Sequence, residues 1–171
     1  PGSVAGDDFP VGSQVVVHRN DRGEIVITPA ERVREQVLDS LPADRERIEG
    51  RLLDALRLAG ITDAGRAFVC QMLALVAGPR SVPVLAALLK DPKSAEDARY
   101  ALQPVTGPEA DAALRDALGS LSGPAKAGLI GTIALRGDTT VRAVLAGIQA
   151  NPSEAPVVRD AAARALDHLK A

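Results

Sequence analysis

Phe68-Val69-Cys70-Gln71-Met72-Leu73-Ala74-Leu75-Val76-Ala77-Gly78 ends an apolar run on a glycine, and the pattern recurs twice further along this 171-residue chain, closing at Gly107 and Gly137. A second apolar run follows each glycine. The glycines stand 29 and 30 residues apart, and the positions four, seven and eleven beyond them read Val82, Leu85, Leu89, then Asp111, Leu114, Leu118, then Val141, Val144, Ile148. Only Asp111 breaks the apolar set. Spacings of three and four residues belong to one face of a helix. A near-constant period of this length, with two helical segments in each, is the signature of a stacked α-solenoid.

Working outward, residues 63–77 pair with 82–90, 95–103 with 109–118, and 125–136 with 139–150, followed by a last helix at 156–169. Gly78-Pro79, Gly107-Pro108 and Gly137-Asp138 join the partners, and connections this short predict antiparallel neighbours. Pro104 ends or kinks its helix. Gly128 and Gly131, one turn apart inside a helix, predict a close helix–helix approach at that face, since each costs about 1 kcal/mol relative to Ala. In the last helix Val157, Ala161, Ala165 and Leu166 point inward, and Asp160 and Arg164 form an ion pair.

Upstream, Thr28-Pro29-Ala30-Glu31 reads as a capped helix start with Thr28 as N-cap and Pro29 at the first helical position. Val33, Val37, Leu38 and Leu41 follow on one face, and Pro42 stops the helix. The next helix buries Ile48, Leu52, Leu56 and Ala59, closes at Gly60 and presents a solvated face of Arg45, Glu46, Glu49, Arg51, Asp54 and Arg57. Residues 14–28 differ: Val15-Val16-Val17 and Ile25-Val26-Ile27 flank the turn chemistry of Asn20-Asp21-Arg22-Gly23, a β-hairpin pattern. A lone hairpin is marginal in water. It either caps the exposed end of the stack, as terminal units must, or pairs with its twin to make a homodimer. Residues 1–13, rich in Gly and Pro, read as a flexible lead-in or tag remnant.

Composition agrees with an all-α fold. The apolar fraction is 46%, dominated by 30 Ala and 20 Leu against two Phe, one Tyr and no Trp. Small side chains let helices approach closely, and outside 14–28 no strand-like alternation exists. A net charge of −2 with no dense basic run argues against nucleic acid as a partner. No segment reaches the ~20 apolar residues needed to cross a bilayer, which argues against membrane insertion. The expected setting is therefore soluble, with cytoplasm and periplasm both open. The single cysteine, Cys70, excludes an internal disulfide.

The residues now carry a family resemblance. Ala98-Arg99-Tyr100-Ala101-Leu102 opening one helix, and Ala112-Ala113-Leu114-Arg115-Asp116-Ala117-Leu118 closing its partner, resemble bacterial HEAT repeats over residues 62–169, and more loosely over 29–60. Residues 29–171 are thus read as a HEAT-like helical repeat domain, an α-solenoid of antiparallel helix pairs behind a short N-terminal β-hairpin. The pattern breaks at Asp111 and Thr132, which occupy usually apolar positions; a one-residue shift of register there would explain both. The resemblance implies a right-handed stack whose second helices line a concave, protein-binding face. Such arrays occur inside larger multidomain bacterial proteins.

Catalytic chemistry is sparse. Cys70, among Val69, Met72 and Leu73, reads as a buried, inert thiol. His18 and His168 are 150 residues apart and no acids stand at ligand spacing, so no metal and no cofactor are expected. No phosphate-binding loop is present. Among enzymes built on HEAT-like arrays, deoxyhypusine hydroxylases need paired His-Glu dipeptides and alkylpurine glycosylases need tryptophans. The chain has neither; bilin lyases, lacking a compact motif, stay open. The expected function is a non-enzymatic protein-interaction or scaffold module. Its alternatives are an accessory domain of an enzyme, bilin-lyase-like or beside a catalytic domain, and a homodimer through residues 14–28. On the second helices, polar residues off the core stripe mark the candidate protein-binding face: Lys90, Arg115, Arg142 and Gln149, around small patches of Ala86, Ala112 and Ala146.

Overall fold

The computed structural model describes residues 15–19, 22, 25–39 and 42–170. The expected lead-in at 1–13, together with Gln14 and most of the expected hairpin turn, lies outside these. Among the described residues the protein is helical apart from two strands. β1 (Val15–Arg19) and β2 (Ile25–Pro29) pair antiparallel, Val17 facing Ile27 and Val15 facing Pro29. This ladder takes up Thr28 and Pro29, so α1 (Ala30–Leu38) starts one residue later than the expected cap. The strand pair rests on α1. Pro42 opens α2 (Pro42–Leu56), where its fixed φ suits the first turn. Leu41 is outside the described residues, and Ala59 is exposed beyond the end of α2.

The remaining helices are α3 (Asp63–Val76), α4 (Val82–Leu89), α5 (Ala95–Leu102), α6 (Pro108–Ala117), α7 (Gly123–Leu135), α8 (Arg142–Ala150) and α9 (Pro156–His168). Short 3-10 turns, Pro79–Ser81 and Thr139–Val141, lead into α4 and α8. The Thr62 hydroxyl caps α3 by accepting from the Gly65 N–H at 3.0 Å. The odd-numbered helices form a row: α1 packs on α3, α3 on α5, α5 on α7 and α7 on α9. The even-numbered helices pack against that row, from α2 on α3 to α8 on α9, and α4 also packs on α6. The closest consecutive neighbours are therefore α2 with α3, α4 with α5, α6 with α7 and α8 with α9, across the expected pair boundaries. The 3-10 turns after Gly78 and Gly137 carry the chain away from the helix just completed before the next one starts.

A continuous core lies between the rows. Met72, Leu73, Leu85, Leu89, Leu102 and Leu114 are fully buried, as are Leu129, Ile130, Ile133 and Leu145. Ala98, Ala101, Ala110 and Ala162 are fully covered too, consistent with helices drawn close by small side chains. The predicted stripe holds at Val82, Leu85 and Leu89, but in the third unit Val144 is exposed and Leu145 is buried. Asp138 lengthens the linker there, so α8 begins one residue later after its glycine than α4 does. In α9 the inward stripe is Val158, Ala161, Ala162, Ala165 and Leu169, and Val157 faces out. Asp160 and Arg164 do not pair among the described residues.

The three repeat glycines are not equivalent. Gly107 and Gly137 have φ of 114° and 72°, a region that favours glycine. Gly78 is extended, and its N–H donates at 2.8 Å to Glu49, which also accepts from the Ser81 hydroxyl at 2.5 Å. Glu49 is only 3% exposed. It therefore does not belong to the solvated face of α2; it leaves that face to bind the α3–α4 linker.

Arginines bridge the odd row, and they explain the two breaks in the repeat. Arg99 of α5 donates to the Thr132 hydroxyl of α7 at 2.6 Å. Arg136, just past α7, donates to Asp111 of α6 at 2.7 Å and to the carbonyls of Gln103 (2.8 Å) and Val105 (2.7 Å). Asp111 and Thr132 are thus partners of neighbouring helices; Thr132 is buried in place, whereas at Asp111 the fully buried position falls one residue earlier, on Ala110. Arg66 of α3 likewise reaches Asp97 of α5 at 3.3 Å, and Lys126 of α7 pairs with Glu154 before α9. Gly128 makes room for Arg99, whose Nε would lie 3.4 Å from an added Cβ, whereas space is open at Gly131. The predicted close approach thus exists at one glycine, and a side chain rather than a helix backbone fills it.

Candidate functional site

The candidate residues on the even helices are dispersed. Lys90 caps the end of α4 and is exposed; Gln149 is exposed on α8. Arg115 is committed to the fold: it bridges from α6 to Asp138 at 2.5 Å. Arg142 lies exposed at the start of α8, its guanidinium 3.3 Å from the Leu169 carbonyl. Ala86 and Ala112 are half-buried and Ala146 is exposed. The four side chains do not converge on one pocket.

Two concavities lie on the odd row. α1 and α5 flank α3, whose outward face forms the floor of an open groove of about 640 Å³. Arg34 and Leu38 of α1 stand on one wall, Glu96, Asp97 and Tyr100 of α5 on the other, and Gln71 and Leu75 of α3 lie below. Leu38 (60% exposed), Leu75 (42%) and Tyr100 (52%) present their apolar surface to solvent here. A smaller groove of about 300 Å³ lies between α7 and α9, with Leu135, Arg164 and His168 around a floor of Ala and Gly.

The carboxylates of the larger groove are paired with arginines. A hydrogen bond from Arg99 holds the Glu96 carboxyl below its ordinary value, against the opposing effect of burial. Asp97 is held by Arg66. Burial pushes the Cys70 thiol up to about 12, with the Asp97 charge adding to the effect, so it stays protonated. The groove therefore presents fixed charges around apolar side chains, without a nucleophile poised beside a base. Among the described residues no cluster of His, Cys, Asp and Glu could hold a metal, and no helix is long and apolar enough to cross a membrane.

Leu75 and Leu135 were hidden by their neighbours, because each sits inside an apolar run that reads as core, and Tyr100 was absorbed into the Ala-Arg-x-Ala-Leu pattern of residues 98–102. One signal was available: Tyr100 is the only tyrosine in the chain. A lone amphipathic aromatic among alanines is poor core filling and good interface material. The chain matches no protein-family model, no curated protein and no solved structure.

Proposed function

We propose that the protein is a HEAT-like helical array acting as a protein-interaction or scaffold module. The observation that carries this reading is the open groove over α3, where Leu38, Leu75 and Tyr100 are exposed together while both carboxylates on the wall are neutralised by arginines. The alternation of odd and even helices along one core supports the solenoid part of the proposal. The strand pair on α1 supports an end cap over a dimerisation strand; light scattering at two concentrations tests this, and a concentration-dependent doubling of mass would reverse the preference.

A photo-crosslinking amino acid at position 100, expressed in the native host, tests the surface. A discrete crosslinked protein is expected at position 100 and not at position 149 on α8, and Leu75→Glu should abolish it without changing the circular dichroism spectrum. Crosslinking at 149 alone would move the site to the even helices, and silence at both positions would refute the interaction reading.

A further inference from the structure

We propose that the larger groove receives an acidic amphipathic helix of a partner protein, with a carboxylate on Arg34 and apolar side chains among Leu38, Leu75 and Tyr100. This rests on the interaction reading above and adds the chemistry of the partner to it. The apolar half of the match is direct. Among the described residues seven large hydrophobic side chains are exposed, and three of them, Leu38, Leu75 and Tyr100, stand around this one groove. Its volume of about 640 Å³ has room for several side chains. Covering three such side chains together is what an apolar stripe on a partner helix gains.

The charged groups of the groove are unequally committed. Both Glu96 oxygens accept from Arg99, one of them from its Nε at 2.9 Å, and Asp97 accepts from Arg66 at 3.3 Å. Arg34 is exposed on the α1 wall and makes no hydrogen bond or ion pair among the described residues. Glu31 and Glu35 share its helix, and neither bonds it. A guanidinium without a counter-charge gains from a carboxylate that a partner brings, and gains more where apolar contacts beside it exclude water. A partner lysine would find carboxylates already held by arginines and would meet Arg34 as a like charge. The Gln71 amide and the Tyr100 hydroxyl, on exposed residues and unbonded among the described residues, are left for the partner's polar groups.

The spacing on the wall sets the spacing on the partner. Arg34 and Leu38 are four residues apart on α1, one turn and about 6 Å along its axis. A helix laid along the groove meets both with a Glu and a Leu that are likewise one turn apart. The smaller groove offers part of the same chemistry: Arg164 and His168 line it and no carboxylate does. Leu135 is the one large exposed hydrophobic side chain there, above a floor of Ala and Gly, so it lacks the three apolar anchors that hold a helix in the larger groove.

Fluorescence anisotropy with the full chain tests this, using a fluorescein-labelled helical peptide with leucines along one face and glutamates flanking them, against the same peptide with lysines in place of the glutamates. The glutamate peptide should bind about tenfold tighter. Arg34→Glu, a change at an exposed position that leaves the core intact, should reverse the preference, and Arg34→Gln should remove most of it. Arg164→Glu, in the smaller groove, should leave it unchanged. Equal binding of the two peptides, a preference that survives Arg34→Glu, or one that Arg164→Glu removes instead overturns the proposal. So does failure of both peptides to bind. In that case a crosslink that persists at position 100 keeps the interaction reading and discards only the acidic partner, whereas silence there discards both.

Discussion

Helix α7 meets its two row neighbours in opposite ways. Toward α9 the contact is close, and α9 contributes Val158 and the alanines 161, 162 and 165 to the core. Toward α5 the shared core is supplemented by polar bridges, Arg99 to Thr132 and Arg136 to the carbonyls that follow α5. Close alanine packing makes a joint rigid, because neither side can move without opening a void. A joint of arginines is strong only while every donor keeps its acceptor, since a stranded buried partner costs more than the bond returned.

The largest expected effect lies on the apolar side. Leu145, fully buried beside α9, should cost about 2–5 kcal/mol when cut to Ala, measured by urea unfolding. A cost below that of a surface substitution would show that α8 and α9 are loosely joined and remove the contrast.

Next comes the polar linkage at the other end of the array. Glu49→Ala leaves the Gly78 N–H and the Ser81 hydroxyl unpaired in a buried setting, and about 2 kcal/mol of stability should disappear. A neutral result would mean that water replaces the carboxylate and that Gly78 needs no anchor.

Asp111→Leu sharpens the comparison most, because the repeat pattern and the structure disagree on its sign. The repeat pattern favours an apolar residue at this position and hence a stabilising change. The contact with Arg136 says that stability falls by about 1–2 kcal/mol, because the guanidinium loses its carboxylate. Thermal and urea midpoints that rise in this variant would side with the pattern.

That disagreement shows what was legible in the sequence. Leu85, Leu89, Leu114 and Leu118 could be placed because direct apolar contact leaves a periodic trace, and the helix boundaries followed from Gly and Pro. Asp111, Thr132 and Glu49 could not, because a bridge is made by two residues some 25 to 33 positions apart, and each alone looks like a defect or a solvated charge. Val144 and Val157 show the other failure, a one-residue phase error that apolar character cannot reveal when neighbouring Leu145 and Val158 are apolar too. The candidate face was the least legible. Periodicity identifies which side of each helix is buried but not which row of helices carries a concavity, so Lys90 and Gln149 could be read off the sequence and the groove beside Tyr100 could not. Arg115 and Arg142 had the right character for a surface contact, but their guanidinium groups lie against Asp138 and the Leu169 carbonyl.

A smaller effect depends on pH. Burial pushes the Asp138 carboxyl up, but hydrogen bonds from the Thr140 hydroxyl, from Arg115 and from the Thr140 N–H outweigh it and hold the group below its ordinary value of 3.8. The folded protein takes up this proton less readily than the unfolded chain does. The stabilisation is therefore complete well above 3.8 and is lost as pH falls through the lower folded value. At neutral pH Asp138→Asn should be about 1 kcal/mol less stable than the wild type, and the gap should close in acid. A gap that persists unchanged below pH 3.8 would show that the carboxylate charge contributes nothing to the Arg115 bridge.

A double-mutant cycle on Arg136→Ala and Asp111→Ala, read by urea unfolding, tests the arginine joint most directly. The account predicts a coupling energy of at least about 1 kcal/mol, with Arg136→Ala alone costing more than Asp111→Ala because it also removes the donor to the carbonyl of buried Val105. Additive effects, within about 0.3 kcal/mol, would contradict it and show that the Arg136–Asp111 contact between α6 and the end of α7 carries no energy of its own.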